Sequence, residues 1–266
     1  MLFDELKFID IVHSVRKFPD NHDFSKLYEF KIRLQGTLPS CAAHAWIACM
    51  EYLRQIDGYP YENLSTVYHY YMSRKLAMCE GEVKPIFIET SLQSFLINGA
   101  LPAQGKILNM DTINCKPQER EITEAKKRII KDSISILKLE INVIVFKYVL
   151  IKMKVPFVVV IKITKDKLHS RVAQILIEEE EEDSQDVVHA ICIIGYDDEE
   201  QVFKFQNSYG SSWHYSGFGK LHYSYLNRVT KAIAIDKSCI KDDEPSNDIN
   251  LLDIGYIIDE LIETSL

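Results

Sequence analysis

The chain has no long apolar run that would suit a membrane or a secretory signal. A membrane-spanning helix needs about 20 consecutive apolar residues, and charged residues interrupt every apolar stretch before that length. The first stretch, MLFDELKFIDIVHSVRKF, contains Asp4, Glu5, Lys7 and Asp10 and so lacks the apolar core of a secretory signal. The sequence therefore predicts neither a membrane-spanning nor a secretory segment.

The chain also has fewer positively charged than negatively charged side chains. Lysine and arginine total 31 against 39 aspartates and glutamates, which gives a formal net charge of -8. Binding to nucleic acid or to an anionic membrane surface depends on a basic face that releases counterions, and no basic stripe stands out. We therefore expect no nucleic-acid partner and no membrane partner, and the composition leaves the oligomeric state open.

Closely spaced cysteine pairs are absent as well. The chain has six cysteines, Cys41, Cys49, Cys79, Cys115, Cys192 and Cys239, and no CxxC pair. This spacing argues against a tight disulfide framework and against a zinc site. We therefore expect free thiols, no metal ion, and a location in the cytoplasm or another reducing intracellular compartment. If the chain is viral, the expected location is the virion or the host cell.

Near the middle of the chain, the residue pattern changes from one typical of helices to one typical of β-strands. From Cys41 to Arg54 apolar residues recur at helical spacing, whereas VPFVVVIKI and VVHAICIIGYD are β-branched runs bounded by turn residues. We predict an N-terminal segment (1–34), a mainly helical lobe (35–138), a β-rich lobe (139–236) and an acidic tail with an amphipathic helix (237–266).

Two acidic segments lie outside these regular patterns. The run EEEEED, Glu178 to Asp183, predicts a solvated loop because like charges at that density repel one another. In the tail, Leu251, Ile254, Ile258 and Leu261 fall on one helical face. We expect that face to dock on the rest of the chain or on a partner.

Cys41 stands where a turn-forming segment meets a predicted helix. It follows Pro39 and Ser40 in QGTLPSCAAHAWIACMEY and would occupy the first helical turn. A helix N-terminus carries about half a positive charge, which can lower the pKa of a thiol from about 8.5. The position favours a reactive thiolate, although a lone cysteine is more often a small core residue.

Three other residues supply what a cysteine nucleophile requires, namely a base, a group that holds the base, and donors for an oxyanion. His189 begins a predicted strand, and Asn207 ends the next one, so a hairpin would bring them together. Gln35 precedes Cys41 by six residues and can direct its amide N–H at the same oxyanion as the Cys41 backbone N–H. Singly, a strand histidine is more often structural and Asn207 suits a turn, so only the joint pattern favours catalysis.

Two segments resemble the papain-like cysteine peptidases (clan CA, family C1). QGTLPSCAAHA is similar to the family's Gln-Gly-x-x-x-Ser-Cys loop and helix, and HAICIIGYDDEEQVFKFQNSYGSSWHYSGFGKL is similar to its block of His-Ala-Val, Asn-Ser-Trp-Gly and Gly-Tyr motifs. His189 falls within the spacing of about 130–150 residues from the cysteine known for that family, and Asn207 lies slightly beyond it. The resemblance covers about residues 30 to 226, and its alanine-rich motif is closest in style to bacterial and viral members.

This resemblance implies an α+β fold in which an N-terminal mainly helical lobe and a C-terminal antiparallel β-rich lobe enclose the active-site cleft. It implies that Cys41 is the nucleophile, that His189 is its imidazolium partner and later the general acid, that Asn207 orients His189, and that Gln35 is the oxyanion donor. The implied reaction is hydrolysis of a peptide or protein substrate through an acyl-enzyme, with neither a metal nor an organic cofactor.

Some positions depart from the family pattern. Ala42 replaces the aromatic residue after the nucleophile, Tyr209 replaces the tryptophan that shields the His–Asn bond, and Leu38 stands where secreted members carry a disulfide cysteine. The forty residues before Cys41 are fewer than the usual inhibitory propeptide, so we expect either a mature form or control by other means.

Two alternatives to a peptidase stay open at this stage. The same triad can serve an isopeptidase, an amidase or an acyltransferase, because all of these form an acyl group on sulfur. A catalytically weak binding protein that keeps the fold is the third possibility, and it is motivated by the departures from the family pattern. The intact set of four candidate residues favours an enzyme.

Overall fold

The computed structural model describes residues 4–11, 18–128, 136–164, 175–176 and 186–235. The helices are α1 (Phe8–Ile11), α2 (Cys41–Ile56), α3 (Thr66–Leu76), α4 (Ile88–Asn98), α5 (Glu119–Lys126) and α6 (Val143–Tyr148), which continues into a π-helical turn at Val149–Met153. The strands are β1 (Asp4–Leu6), β2 (Asn21–Asp23), β3 (Ile136–Leu139), β4 (Phe157–Thr164), β5 (Ile175–Leu176), β6 (Asp186–Asp197), β7 (Val202–Gln206), β8 (Phe218–His222) and β9 (Val229–Ile235). This arrangement confirms the α+β class, with the long helices ahead of most of the strands.

The strands in the described ranges join into a single sheet. Their order is β1-β3-β9-β4-β6-β7-β8-β5. Strand β2 pairs with residues 195–197 of β6, just past residue 193, where the pairing of β6 with β4 ends. The interior pairs are antiparallel, as the sequence predicts, whereas the pairs β1 with β3 and β5 with β8 are parallel. Strands β1 and β2 come from the N-terminal segment, which therefore contributes to the same sheet as the β-rich lobe.

Helix α2 packs between β6 on one side and helices α3 and α4 on the other. Its residues 42–54 are all buried, as expected for a helix that is apolar on nearly every face. The indole N–H of Trp46 donates to the carbonyl oxygen of Ile88 over 2.8 Å, and the hydroxyl of Tyr52 donates to Gln206 Oε1 over 3.0 Å. These contacts fix α2 against both halves of the molecule, and thereby fix the position of its first residue.

The ends of α3 and α4 follow from local sequence signals. The Ser65 side chain accepts a hydrogen bond from the backbone N–H of Tyr68 over 3.1 Å, which confirms the predicted N-cap of α3. Helix α4 ends at Gly99, whose φ of +67° lies in the region that favours glycine. Between the two helices, the ring of His69 stacks on Phe95 at 3.8 Å.

Replacing Gly99 with alanine is expected to lower the free energy of unfolding by about 3 kcal/mol. The new Cβ would lie 2.0 Å from the carbonyl oxygen of Ala125, in addition to the cost of the positive φ. Gly105→Ala is the matched control, because its φ is +77° but no atom lies within 4 Å of the added Cβ. That control should lose only about 1–2 kcal/mol. Urea unfolding measures both, and equal losses would mean that the contact with Ala125 does not constrain this helix end.

Some of the sequence predictions fall where the structure gives no description. The run from Glu178 to Asp183 and the tail face from Leu251 to Leu261 lie outside the described residues. The boundaries proposed at residues 34, 138 and 236 stay predictions. Within the described ranges, no helix combines the length and the apolar character needed to cross a bilayer.

Candidate active site

Cys41 is the first residue of α2, as the sequence predicts, and its side chain is half-buried. The hydroxyl of the preceding Ser40 does not cap the helix. The first backbone N–H groups of α2 therefore keep their partial positive charge at the end that carries the thiol. The local structure thus supplies the field that favours a thiolate.

The β6–β7 hairpin brings His189 and Asn207 together. His189 lies on β6, Asn207 directly follows β7, and the two strands are antiparallel neighbours. The Nε2–H of His189 donates to Asn207 Oδ1 over 2.8 Å, and both residues are buried. Because Nε2 is engaged by Asn207, Nδ1 is the ring nitrogen left for the hydrogen bond between the imidazole and the Cys41 thiol.

The surroundings of Cys41 act on its pKa in opposite directions. Burial raises the pKa of the thiol, whereas the hydrogen bond and the charge of His189 lower it. Backbone hydrogen bonds from Ala190 and Ala42 lower it further. The pKa of Cys41 consequently lies below the ordinary value for a thiol, which raises the thiolate fraction at a given pH.

Gln35 is buried, and its carboxamide is held at both ends. Its Nε2 donates to the carbonyl oxygen of Leu38 over 2.9 Å, and its Oε1 accepts a hydrogen bond from the Ser208 hydroxyl. The second N–H of this amide makes no hydrogen bond to a described residue. The backbone N–H of Gln35 donates to the carbonyl oxygen of Ser208 over 2.8 Å. The loop before α2 is thus attached to the segment that carries Asn207.

His44 lies one helical turn after Cys41 but is directed back along the helix. Its Nδ1 donates to the carbonyl oxygen of Ser40 over 2.9 Å. Burial lowers the pKa of His44 to about 4, so its imidazole is neutral near pH 7. These contacts give His44 a structural role and leave His189 as the histidine bonded to the thiol.

Tyr209 occupies the position beside the catalytic candidates where the sequence departs from the family tryptophan. Its ring lies 5.2 Å from the His189 ring and meets Trp213 edge-on at 6.1 Å. Burial raises the pKa of Tyr209, and the nearby Cys41 raises it further, so the hydroxyl keeps its proton. The aromatic neighbour of His189 is therefore retained in this chain as a neutral tyrosine.

Two residues around the site were not singled out from the sequence. Ser208 donates its backbone N–H to Asn207 Oδ1 over 2.8 Å and its hydroxyl to Gln35, so it connects two of the four candidates. Its only signal is its place in the Asn-Ser motif, where it suits a turn. Ala190 acts on Cys41 through its backbone, which leaves no signal in the choice of side chain.

The sequence matches the family model described as papain family cysteine protease over residues 18–239, which is most of the chain. The chain belongs to the papain family. It is accordingly a cysteine peptidase, a hydrolase of the thiol-protease type, and membership of this family implies peptide or protein substrates. A comparison with curated proteins gave no significant match.

Solved structures of other cysteine proteases share the papain-family fold of this chain. Xylellain, a cysteine protease from Xylella fastidiosa, has a TM-score of 0.76 at 19% identity, with 88% of this chain and 91% of that chain covered. Procathepsin B S9 from Trypanosoma congolense has a TM-score of 0.71 at 14% identity, with 91% and 84% covered. The Carica candamarcensis protease CMS1MS2, in complex with E-64, has a TM-score of 0.62 at 17% identity, with 82% and 98% covered. These similarities establish the fold.

Proposed function

We propose that this peptidase hydrolyses peptide bonds through a triad of Cys41, His189 and Asn207. The observation that supports the proposal most strongly is the series of hydrogen bonds from thiol to imidazole to carboxamide, together with the lowered pKa of the thiol. The thiolate is the nucleophilic form of cysteine. An environment that favours the thiolate supports a chemical role for Cys41 over a packing role.

The reaction follows from the atoms that face one another. The Cys41 thiolate attacks the carbonyl carbon of the scissile bond, and the carbonyl oxygen becomes an oxyanion. The His189 imidazolium gives its proton to the leaving amine as the C–N bond breaks, which leaves a thioester on the sulfur. His189 then takes a proton from water, which attacks the thioester and releases the carboxylic acid. Asn207 keeps the ring orientation constant through both steps.

Two N–H groups are proposed as donors to the oxyanion. Cys41 is the first residue of α2, so its backbone N–H has no acceptor within the helix. The second donor is the Gln35 amide N–H that makes no hydrogen bond to a described residue. Donors of this kind act most strongly when they are already held in place before charge develops, and the two fixed ends of the Gln35 carboxamide meet that requirement.

Gln35→Ala is expected to lower kcat by about 10²–10³-fold with a much smaller change in KM, as for the loss of one oxyanion donor. The donor contributes more to the transition state than to the bound substrate, so the effect should fall on kcat. Steady-state kinetics with a fluorogenic peptide measures both constants. Thr37→Ala is the control, because Thr37 is an exposed residue of the same loop. A Gln35 variant with the kcat of the control would remove Gln35 from the proposed mechanism.

A labelling experiment and a cleavage profile together test the proposed function. Mass spectrometry after treatment with a thiol-directed epoxide peptidase inhibitor should place one adduct on Cys41 and none on the other cysteines. A peptide library should then be cleaved at internal peptide bonds. Cleavage of isopeptide or side-chain amide substrates alone would favour an isopeptidase or an amidase, and transfer to an added amine in place of water would favour an acyltransferase. Labelling with no turnover of any substrate would favour the catalytically weak binding protein.

A further inference from the structure

A buried ion pair between Arg33 and Glu51 lies outside the residues that have been given a chemical role above. Their side chains are 10% and 1% exposed. Two charges removed from water to this extent are stabilised only when the geometry is good and their remaining polar atoms are satisfied. Both terminal nitrogens of Arg33 and both carboxylate oxygens of Glu51 have hydrogen-bond partners, and the position of the pair in the chain relates it to the proposed oxyanion donors.

The guanidinium of Arg33 has its donors directed at several acceptors. Nη1 donates to Glu51 Oε2 over 3.0 Å, and Nη2 donates to Glu51 Oε1, which completes a two-pronged contact. Nη2 also donates to Asn63 Oδ1 over 2.7 Å and to the carbonyl oxygen of Leu64. Glu51 Oε1 in turn accepts the backbone N–H of Leu64 over 2.8 Å. The planar guanidinium therefore has one orientation, which a flexible ammonium group would not reproduce.

We infer that the Arg33–Glu51 pair positions Gln35 relative to Cys41. Arg33 precedes Gln35 by two residues, and Glu51 follows Cys41 by ten residues within α2. The pair thus links the loop that carries one proposed oxyanion donor to the helix that carries the other. The inference rests on the proposed function, since it requires Gln35 to act on the oxyanion. Arg33 and Glu51 are positioning residues in this scheme, and neither contacts the reacting atoms.

Apolar packing holds the loop to α2 at Leu38, which is buried with Ala43, but contributes little at residues 33–35. A cavity of about 470 Å³ runs along residues 31–38, and Arg33 and Gln35 both contribute to its wall. Leu34, between them, is 62% exposed and so adds little apolar contact. A segment that borders a cavity has few neighbours to fix its position. Polar contacts are consequently the main restraint on this part of the loop.

Those polar contacts attach the loop on two sides. On the side of the β-rich lobe, the backbone N–H of Gly210 donates to the carbonyl oxygen of Arg33 over 3.0 Å, and the backbone N–H of Gln35 donates to Ser208. On the side of α2, the Arg33 side chain bonds Glu51, and Gln35 bonds Leu38 just before the helix. Loss of the ion pair would leave Gln35 its contacts with Leu38 and Ser208 but would remove the direct link from its segment to the middle of α2. The distance between Gln35 Nε2 and the Cys41 N–H would then be less well fixed.

The experiment compares Arg33→Met, Arg33→Lys and the double variant Arg33→Met with Glu51→Leu. The double variant is included because a lone buried carboxylate can prevent folding, whereas removal of both charges together is tolerated better. For each variant we measure the folded fraction by circular dichroism, kcat and KM with a peptide substrate, and the rate at which iodoacetamide alkylates Cys41. The alkylation rate reports on the thiolate and does not involve an oxyanion.

We expect kcat of the folded double variant to fall about 10–10²-fold, which is less than complete loss of the donor, with KM and the alkylation rate within about twofold of wild type. Arg33→Lys should recover folding but not kcat, because lysine supplies the charge without the two-pronged contact. Arg128→Met is the matched control. It removes another partly buried arginine, whose Nε donates to Glu62 Oε2 over a distance of 2.6 Å, and its kcat should be unchanged.

A double-mutant comparison decides whether Arg33 acts through Gln35. In a Gln35→Ala background, the Arg33→Met and Glu51→Leu changes should lower kcat by less than about twofold, because the donor that they position is already absent. A full additional loss in that background would overturn the inference, as would an unchanged kcat in the double variant. Equal falls in kcat and alkylation rate would also overturn it, since the pair would then support the whole site. An absence of both turnover and Cys41 alkylation in the wild type would instead reject the proposed function.

Discussion

Cys41→Ala should lower kcat for peptide hydrolysis by a factor on the order of 10⁶ while the protein stays folded. The proposed acyl-enzyme forms on the sulfur, so no other atom of the site can replace it. Folding should persist because Cys41 is half-buried at the start of α2, where alanine is a good helix former and the next two residues are already alanine. The variant should therefore separate the chemistry of the site from its structure.

The measurement for this variant is kcat with the peptide found in the cleavage profile, alongside the thermal unfolding midpoint. Cys115→Ala is the control, because Cys115 is a free and exposed cysteine. The control should keep wild-type turnover and full labelling by the epoxide inhibitor. Turnover of Cys41→Ala at the wild-type rate, with a normal unfolding midpoint, would rule out Cys41 as the nucleophile.

The parts of the site that could be predicted are those governed by short-range signals. Pro39 and Ser40 followed by alanines mark a helix start, which places Cys41 at the N-terminus of α2. The turn after Asp197 marks a hairpin, which places Asn207 near His189. Each inference depends on residues within a few positions of one another, where backbone preferences and turn chemistry act directly.

The parts that could not be predicted depend on contacts between distant segments. Ser208 meets Gln35 across 173 positions, and nothing in the local composition of either segment specifies that pairing. The Arg33–Glu51 pair is another such case, because a charged residue is normally assigned to the surface. The parallel pairing of β1 with β3 is a third, since a three-residue strand has too little periodicity to identify it. Tertiary structure selects these contacts.

The same distinction applies to the helix end at Cys41. Sequence spacing predicts the helix dipole there, but the pKa of the thiol depends on burial and on His189 and Ala190, which come from the other half of the chain. Burial alone would raise that pKa and oppose catalysis. Among the contacts that lower this pKa, those of His189 are the largest, and this leads to the second large expected effect.

His189→Ala is expected to lower kcat by about 10⁴-fold or more, because the variant loses its general acid and base. It should also move the midpoint of Cys41 alkylation to higher pH. In the wild type, the hydrogen bond and the charge of His189 lower the pKa of the thiol, so the thiolate persists below the ordinary thiol pKa. Without the imidazole, fewer contacts offset the rise in the thiol pKa that burial causes, and the thiolate forms only at higher pH. The pH dependence of the iodoacetamide rate measures this midpoint.

Asn207→Ala separates proton transfer from orientation of the ring. It leaves the imidazole in place but removes the 2.8 Å hydrogen bond that holds Nε2, so kcat should fall by a smaller factor, about 10²-fold at most. The alkylation midpoint should lie closer to the wild-type value than that of His189→Ala, because the partner of the thiol is still present. Equal losses of kcat in the two variants would mean that Asn207 does more than orient the ring. An unchanged alkylation midpoint in His189→Ala would show that His189 does not set the charge of Cys41, and the base would then have to lie elsewhere.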